Sequence, residues 1–561
     1  MTNIYRKIFY SIVMGACFCL FITSILLGVL LDNKIPSIVV GFLTIYLINA
    51  GLALWISTSN VRMVYTKLAW LLSFFVFPII STLIYFIWGR MPYYKKGISN
   101  YKDEYKKYLD FYDSPYSNKA NVDAFDLIAK YAYSTRKTDV FYDCDIEVVQ
   151  NNNDFFEQCL KLIDSAKKTI LMNYYIIDKG QFFSAVKEKI IKKAEEGIQI
   201  YLLFDRYGCK DKFTPRMVAE LAKYKNINIA KFESDRDVWT RSANNFRSHK
   251  KMLVIDDEIA LYGGSNLADE YIGIKQNSPS WSDLNFIIKG QIIKSFMIDF
   301  CIDWDFSGFL PYTWKMGDYL HCHKSLKPLC WIRFHLFPHW IKQVYEPAIK
   351  TRVKNKKLID ILADLNYFKS EKNTQLNNDN KAIFLQTGPR YYNNIVSDVL
   401  VTAILNAKKS VKIISPYLQL NDSLVSALVS ASHRQIDIKI ITPGCCDDKW
   451  FLLEMNRLNY PQLLDAQINL YEYKGFIHSK LLIVDDEYIV TGTYNLDFRS
   501  FNSNFESLLV IKNNNLVEQT LKYWNSTLKN TNEFSKFKYF ETRNFKSVFI
   551  QSGLQIIQPL L

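Results

Sequence analysis

The sequence predicts an α/β protein of two pseudo-symmetric halves that follow N-terminal transmembrane helices. Three observations favour this fold class. A polar motif occurs twice at a fixed spacing, helical and strand patterns alternate before each copy, and long apolar runs open the 561-residue chain. A repeat that spans most of a chain indicates duplicated structural units. A chain of this length also exceeds what one hydrophobic core usually serves.

Three apolar runs without a charged residue begin the chain, at Ile8–Leu31, Ile35–Ile56 and Leu68–Trp88. Each is close to the roughly 20 residues that a helix needs to cross a bilayer. Residues 1–91 are therefore predicted to be a membrane anchor with two or three transmembrane helices, in a multi-pass protein of the cell membrane. Residues 92–140 are predicted to be a juxtamembrane linker, whose Tyr- and Lys-rich segments would either lie on anionic lipid or be solvated.

The charges flanking these runs leave their orientation open. Ten cysteines without disulfide-framework spacing favour a reducing compartment, and so a cytoplasmic catalytic region. The formal net charge of +14 favours anionic partners, which could be nucleic acid or acidic lipids. The apolar runs favour lipid, and we expect no nucleic-acid partner.

Two stretches of the chain show the same alternation of helix and strand patterns. In the first, the predicted order is helix 155–166, strand 168–177, helix 182–196 and strand 197–205. In the second, it is helix 395–407, strand 410–415, helix 420–432 and strand 435–442. Alternation of this kind indicates α/β layers. Residues 141–305 and 381–561 are therefore predicted to be two domains, with an insert and linker at 306–380.

Each domain carries the motif H-x-K-x4-D-x6-G-[GT]-x-N. The offset between corresponding residues is 229 throughout, and the paired members are His249 and His478, Lys251 and Lys480, Asp256 and Asp485, and Asn266 and Asn495. One such match is weak, whereas two with the same downstream Gly and Asn are specific. Because strand side chains alternate, His and Lys two residues apart lie on one face. The repeat predicts two half-sites that face each other.

The paired residue types suit the chemistry of a phosphodiester. Lys and Asn side chains can bind anionic oxygens, one imidazole can attack phosphorus, and the other can protonate the leaving oxygen. Histidine serves both roles because its ordinary pKa lies near neutrality. We therefore expect no metal and no cofactor. Asp256 and Asp485, at the strand ends after the lysines, are interpreted as structural anchors within this catalytic motif.

The motif pair resembles the signature of the phospholipase D superfamily, and the surrounding sequence resembles bacterial cardiolipin synthases. The resemblance lies in Asn244–Asp257, in Gly475–Glu506 and in the apolar segment from Lys67 to Arg90. It implies two α/β sandwich domains packed as one catalytic unit. It also favours His249 as the nucleophile and His478 as the general acid and then base, and it gives Asp283 and Glu506, downstream of the motifs, the role of orienting the histidines.

By this resemblance, the expected reaction converts two phosphatidylglycerol molecules into cardiolipin and glycerol through a phosphatidyl-histidine. A hydrolase that uses water, or transfer to another alcohol, is the alternative in the same superfamily. A membrane-anchored lipid-binding protein without turnover is the alternative from another class. The sequence does not predict the oligomeric state.

The insert Phe309–Tyr345 is dense in aromatic and basic residues. Its composition fits an interfacial segment that dips into lipid headgroups, and it fits a buried aromatic cluster equally well. His335 and His339 lie one helical turn apart, but Pro338 between them disfavours a helix and the spacing matches no metal pattern. We therefore expect no zinc site in this insert.

Overall fold

The computed structural model describes fifteen stretches of the chain: residues 34–58, 64–85, 124–136, 138, 140–142, 144–232, 247–275, 281–307, 358, 362, 380–388, 394–446, 451–537, 539 and 550–551. The chain divides into two compact units. The first consists of Met1–Tyr93, Asp235–Asn245 and Phe549–Leu561, and the second of Tyr94–Ser234 and Phe246–Val548. The predicted insert at 309–345 and the first apolar run lie outside the described residues.

The first unit contains three helices: α1 (Lys34–Ser57), α2 (Val64–Val76) and α3 (Pro78–Ile84). Proline lacks the N–H that would continue the ladder, so the predicted run Leu68–Trp88 is divided, with Pro78 at the start of α3. A small core joins the helices through Leu52, Ile56, Trp70, Phe74 and Tyr85. Within the described residues, no helix meets the length and apolarity that a membrane crossing requires. The predicted spans are therefore not confirmed.

The first half of the second unit alternates strands and helices, as the sequence predicts. Its strands are β1 (Asp145–Val149), β2 (Thr169–Tyr174), β3 (Gln199–Asp205), β4 (Ile227–Phe232), β5 (Arg247–Ser248), β6 (Lys251–Ile255), β7 (Ile259–Gly263), β8 (Trp281–Ser282) and β9 (Asn285–Lys289). Its helices, preceded by α4 (Ala124–Arg136), are α5 (Asn152–Ser165), α6 (Gln181–Glu195), α7 (Pro215–Leu221) and α8 (Ile293–Phe306), with a 3-10 turn at Asp269–Ile272.

The second half repeats this order. Its strands are β10 (Asn380–Thr387), β11 (Ser410–Ile414), β12 (Asp437–Pro443), β13 (Asn469–Tyr473), β14 (Phe476–Ile477), β15 (Leu481–Val484), β16 (Tyr488–Gly492), β17 (Asn504–Asn513) and β18 (Thr531–Phe534). Its helices are α9 (Ile395–Leu405), α10 (Asp422–His433), α11 (Phe451–Arg457), α12 (Tyr460–Asp465), α13 (Phe498–Asn502) and α14 (Asn514–Lys529).

The two main sheets have the same strand order. The first runs β1-β9-β7-β6-β2-β3-β4, and the second runs β10-β17-β16-β15-β11-β12-β13 with β18 added at the edge. In both sheets the last three of these seven strands are parallel, and the motif strand pairs antiparallel with the first of the three. The repeat predicted from the motifs therefore extends to whole sheets, which confirms the α/β fold class.

A shared hydrophobic core joins the two halves. It combines residues such as Phe286 and Phe296 of the first half with Phe384 and Leu509 of the second. Helix α4, within the segment predicted as a linker, contributes Phe125 to a further core on the other side of the second sheet. The two halves thus form one body, and the edges that carry the motifs are held against each other.

Candidate active site

Two short parallel strand pairs bring the motifs of the two halves together. Strand β5, just before His249, pairs with the start of β17, and β14, just before His478, pairs with β8. The His249 N–H donates to the Phe505 carbonyl at 2.9 Å, and the His478 N–H donates to the Ser282 carbonyl at 2.7 Å. Each motif histidine is therefore hydrogen-bonded to a residue of the other half, and that residue directly precedes Glu506 in one case and Asp283 in the other.

The histidine–carboxylate pairs cross between the halves. The Nδ1 of His478 lies 2.6 Å from Asp283 Oδ2, and the Nδ1 of His249 lies 3.0 Å from Glu506 Oε1 and 3.1 Å from Oε2. A carboxylate at Nδ1 fixes the tautomer and leaves Nε2 with a lone pair. The sequence predicted all four residues but not that each histidine takes its carboxylate from the other half.

Glu506 is held by several donors besides His249. The Thr493 hydroxyl donates to it at 2.7 Å, the Ser500 hydroxyl at 2.8 Å and the Asn504 amide at 3.1 Å. The Nδ1 of His249 also lies 3.0 Å from the Thr493 carbonyl. Burial alone would raise the pKa of Glu506, but the neighbouring His249 lowers it below its ordinary value. Glu506 is therefore an ionised and firmly oriented partner for His249.

Lys251 and Lys480 occupy equivalent positions in the two half-sites. Each ammonium donates to the backbone carbonyl of the histidine two residues earlier. Both lysines are almost fully buried. Burial lowers the pKa of Lys251 well below its ordinary value, and the charge of Lys480 adds to this. Burial also lowers the pKa of Lys480, to about 8. The half-sites thus form one electrostatic cluster.

Comparison with known proteins agrees with this arrangement. Residues 159–299 and 400–528 match the family model described as the PLD-like domain of cardiolipin synthase, and residues 42–90 match that described as the phospholipase D-nuclease N-terminal region. The chain belongs to the cardiolipin synthase family of phospholipase D-like proteins. Both half-sites of this phospholipase D-like chain lie within or beside the matched ranges.

Curated relatives and a solved structure extend the likeness. Cardiolipin synthase 1 of Bacillus cereus is 25% identical over 510 residues, which cover 88% of this chain and 89% of the relative. A cardiolipin synthase of Clostridium perfringens is 27% identical over 516 residues, covering 88% and 94%. The crystal structure of phosphatidylserine synthase from Haemophilus influenzae covers 74% of this chain and 93% of its own, with a TM-score of 0.52 and 17% identity. The last comparison shows a shared phospholipase D-like fold alone.

Burial keeps both histidines of this phospholipase D-like site neutral. It lowers the pKa of His249, although Glu506 acts in the opposite direction. It lowers the pKa of His478 to about 3, with a further contribution from Lys480, whose ammonium lies 3.1 Å from Nε2. A neutral imidazole is the nucleophilic form. An imidazole that must donate a proton needs added negative charge nearby, such as a bound phosphate.

Aromatic side chains position both imidazole rings. Tyr175 contacts the His249 ring edge-on at 4.8 Å between centroids. Trp281 and Tyr271 contact His478 at 5.1 and 5.5 Å. The sequence analysis did not assign these aromatic residues to the site. Trp281 lies two residues before Asp283, and this proximity is the signal that could have identified it. Tyr175 is distant from both motifs in the sequence, and the pairing of β2 with β6 brings it to His249.

The two motif asparagines differ in their contacts. Asn266 accepts from the Ile176 N–H at 2.9 Å and donates to the Tyr271 hydroxyl at 2.7 Å. Asn495 is equally buried, but its side-chain oxygen has no hydrogen-bond partner among the residues that the structure describes. Asn266 therefore supports the loop beside His478. The predicted contact of each asparagine with a phosphate remains a prediction.

The motif aspartates lie away from the histidines, at the far ends of β6 and β15. Asp256 accepts from the backbone N–H groups of residues 167–169 at 2.7–3.0 Å, and Asp485 does the same for residues 408–410 at 2.6–3.0 Å. Both have positive φ, 53° and 55°. Five residues of strand separate Asp256 from Lys251, about 16 Å. These contacts agree with the interpretation of both aspartates as structural anchors.

Lys250, between His249 and Lys251, points away from the imidazoles into a buried ionic cluster. Its ammonium pairs with Asp299 at 2.5 Å and with Asp303 at 2.8 Å, both on α8. In the second half, Ser479 takes the equivalent position and shares a hydrogen bond with the Tyr523 hydroxyl of α14 at 2.6 Å. Each motif is thus fixed by the helix that follows β9 or β17, through an ionic cluster in the first half and through hydroxyl groups in the second.

The described part of the chain contains no cluster of three or more His, Cys, Asp or Glu side chains that could hold a metal ion. His335 and His339 lie outside that part. The aspartate and glutamate beside the motif histidines are instead taken up by the Nδ1 contacts described above.

Proposed function

We propose that this chain is a membrane-bound phosphatidyltransferase that converts two phosphatidylglycerol molecules into cardiolipin and glycerol. One observation carries the proposal: two neutral imidazoles, each oriented by a carboxylate of the opposite half, share one buried cluster with two lysines. That set suits nucleophilic attack on a phosphodiester and proton transfer to its leaving oxygen. The named cardiolipin synthases that match 88% of the chain favour this activity over others of the superfamily.

In the first step, His249 Nε2 attacks phosphorus of the donor lipid. The N–P bond forms, the P–O bond to the headgroup glycerol breaks, and His478 delivers its proton to that oxygen. Lys251 and Lys480 stabilise the charge on the non-bridging oxygens as it develops. The product is a phosphatidyl-histidine and free glycerol.

Substrate binding allows His478 to take up from solvent the proton that it donates in the first step. Its pKa of about 3 keeps it neutral in the empty site. A phosphodiester anion between the lysines opposes their effect and raises the pKa of His478, as does Asp283 at Nδ1. Proton uptake is therefore coupled to substrate binding, and His478 can act as the general acid only when a phosphate is bound.

In the second step, the acceptor hydroxyl of another phosphatidylglycerol replaces His249. His478 takes the hydroxyl proton, the new O–P bond forms and the N–P bond breaks. Glu506, with four donors in total, supports His249 as the residue that becomes cationic when it carries the phosphatidyl group. This is why we assign the nucleophile to His249 rather than to His478.

The first unit supports the membrane part of the proposal. Its polar side chains bond internally: Asn49 donates to the Phe74 and Pro78 carbonyls at 3.3 and 3.1 Å, and Ser81 to the Ser73 carbonyl at 2.7 Å. Its outer surface is apolar, and its exposed large residues include Phe42, Leu43, Leu47, Leu54, Leu68, Phe75, Phe77, Ile80 and Leu83. Polar groups inside and apolar groups outside fit a lipid environment. We propose multi-pass insertion with the catalytic unit in the cytoplasm, which protease protection in closed vesicles tests.

The activity is tested by lipid analysis with phosphatidylglycerol as the sole lipid substrate. Cardiolipin and glycerol in equal amounts support the proposal. Phosphatidic acid without cardiolipin would make the chain a hydrolase, and vesicle binding without turnover would make it a lipid-binding protein. Either result would overturn the transferase.

A further inference from the structure

Arg247 is a third cation on the face of the first motif segment that carries the catalytic residues. Side chains alternate along an extended segment, so Arg247 shares its face with His249 and Lys251. Its guanidinium lies 4.4 Å from the centre of the Tyr207 ring, and Tyr207 is 60% exposed. Arg247 itself is buried, and its contact with the exposed Tyr207 ring places it near the surface on the side of His249.

The neighbourhood holds this guanidinium in place. Arg247 lies opposite Asn504 in the pairing of β5 with β17, beside the strand that delivers Glu506. The buried Asp205 accepts from the Ser248 N–H at 3.0 Å and attracts the guanidinium, whereas burial, and to a smaller extent the charge of Arg499, lower the pKa of Arg247. An anion bound beside Arg247 would therefore stabilise its buried charge.

The other half-site has no such cation at the equivalent position. Two residues before His478 stands Phe476, which packs against Trp281 at 4.6 Å between ring centroids. The pseudo-symmetric site therefore has one cationic edge and one aromatic edge. A symmetric ligand would not require this difference, but two substrates in different roles would.

Building on the function proposed above, we propose that Arg247 binds the phosphate of the acceptor phosphatidylglycerol. The acceptor carries its own phosphodiester, three glycerol carbons away from the hydroxyl that attacks. The backbone positions of Arg247 and His249 are two residues of extended chain apart, about 6.6 Å. A P–O–C–C–C–O–P bridge covers a span of this size. Arginine suits the task because its planar fork can bind two phosphate oxygens at once.

The test compares two acceptors in the same full-length enzyme. One reaction is cardiolipin formation in phosphatidylglycerol vesicles, where the acceptor is anionic. The other is headgroup exchange with labelled glycerol, where the acceptor is neutral and the donor is unchanged. We expect Arg247→Gln to slow cardiolipin formation by about tenfold or more and to leave glycerol exchange within about threefold, since a hydrogen bond to a charged group is lost only in the first reaction. Arg247→Lys should restore part of the difference.

Lys522→Gln is the matched control, because it removes a positive charge from a 70% exposed side chain of α14. It should change neither reaction. Equal slowing of both reactions by Arg247→Gln, or no change in either, would overturn the acceptor site while leaving the phosphatidyltransferase intact. Wild-type enzyme that exchanges glycerol or releases phosphatidic acid but never makes cardiolipin would instead overturn the function itself, and the acceptor site with it.

Discussion

Glu506 of the second half contacts Nδ1 of His249 of the first half at 3.0 Å. The reciprocal pair, Asp283 with His478, lies at 2.6 Å. Because each imidazole is oriented by a residue from the other half, neither half-site is complete alone. The parallel pairs β5–β17 and β8–β14 enforce this exchange by fixing each histidine one residue from the strand pair.

We expect His249→Ala and His478→Ala each to reduce cardiolipin formation by about three orders of magnitude or more, because each removes a group that acts in both steps. Lipid analysis after equal membrane incorporation measures this. Lys522→Gln provides the unaffected control. Substantial turnover in either histidine variant would rule out the two-imidazole scheme.

Because each carboxylate contacts the histidine of the other half, each carboxylate variant should resemble the variant of the histidine that it contacts. The p-nitrophenolate group of an activated substrate such as phosphatidyl-p-nitrophenol leaves without protonation, so this substrate should restore the first step in His478→Ala and in Asp283→Asn. It should not restore that step in His249→Ala, and Glu506→Gln should remain slow with it. Release of p-nitrophenol in a single turnover measures the step. Rescue of Glu506→Gln but not of Asp283→Asn would mean that the two carboxylates serve the histidines of their own halves.

The alkaline limb of the pH profile should report Lys480. Its pKa of about 8 means that it loses its charge as pH rises through that value, which weakens binding of the anionic phosphate. We expect kcat/KM to fall above about pH 8 in the wild type. The arginine in Lys480→Arg stays protonated and should shift the alkaline limb to higher pH, even if the maximum kcat/KM of this variant is lower. An unchanged limb in this variant would assign the titration to another group.

The ionic cluster of Lys250, Asp299 and Asp303 should affect the free energy of unfolding more than the rate of the reaction. Lys250→Met leaves Asp299 and Asp303 facing each other in the core, which we expect to cost about 3–5 kcal/mol. Burial already raises the pKa of Asp299 to about 7 despite the lysine. Losing Lys250 raises it further, so the variant should be less destabilised at pH 5 than at pH 8, because the folded state then binds the extra proton more tightly. Thermal denaturation at the two pH values measures this, with Ser479→Ala as the milder equivalent change.

The sequence predicted the duplicated motif, the alternation of elements in both halves and the composition of the site, because each of these depends on local pattern or on identical spacing. It did not predict the crossing of Asp283 and Glu506. That exchange depends on how the halves dock, and nothing local to either carboxylate reports it. The contrast between Lys250 and Ser479 was also missed, since the middle motif residue points into a helix that comes from a distant part of the chain.

In the N-terminal region, too, the sequence predicted local features but not contacts between distant residues. Hydropathy located the runs that become α1, α2 and α3. The break at Pro78 follows from the missing N–H of proline. The contacts of Asn49 with the Phe74 and Pro78 carbonyls could not be predicted, because they join residues 25 and 29 positions apart through tertiary packing.

The motif aspartates should separate folding from catalysis. Asp256→Ala removes the acceptor for three backbone N–H groups and places alanine at a φ of 53°, which alanine adopts at a cost. We expect a loss of about 1–3 kcal/mol in stability. Asp256→Asn tolerates that φ and should lose less. Because the site lies at the other end of β6, both variants should retain near-normal turnover per folded molecule, measured at low temperature against the folded fraction. Loss of turnover in well-folded Asp256→Asn would instead give this aspartate a part in the reaction.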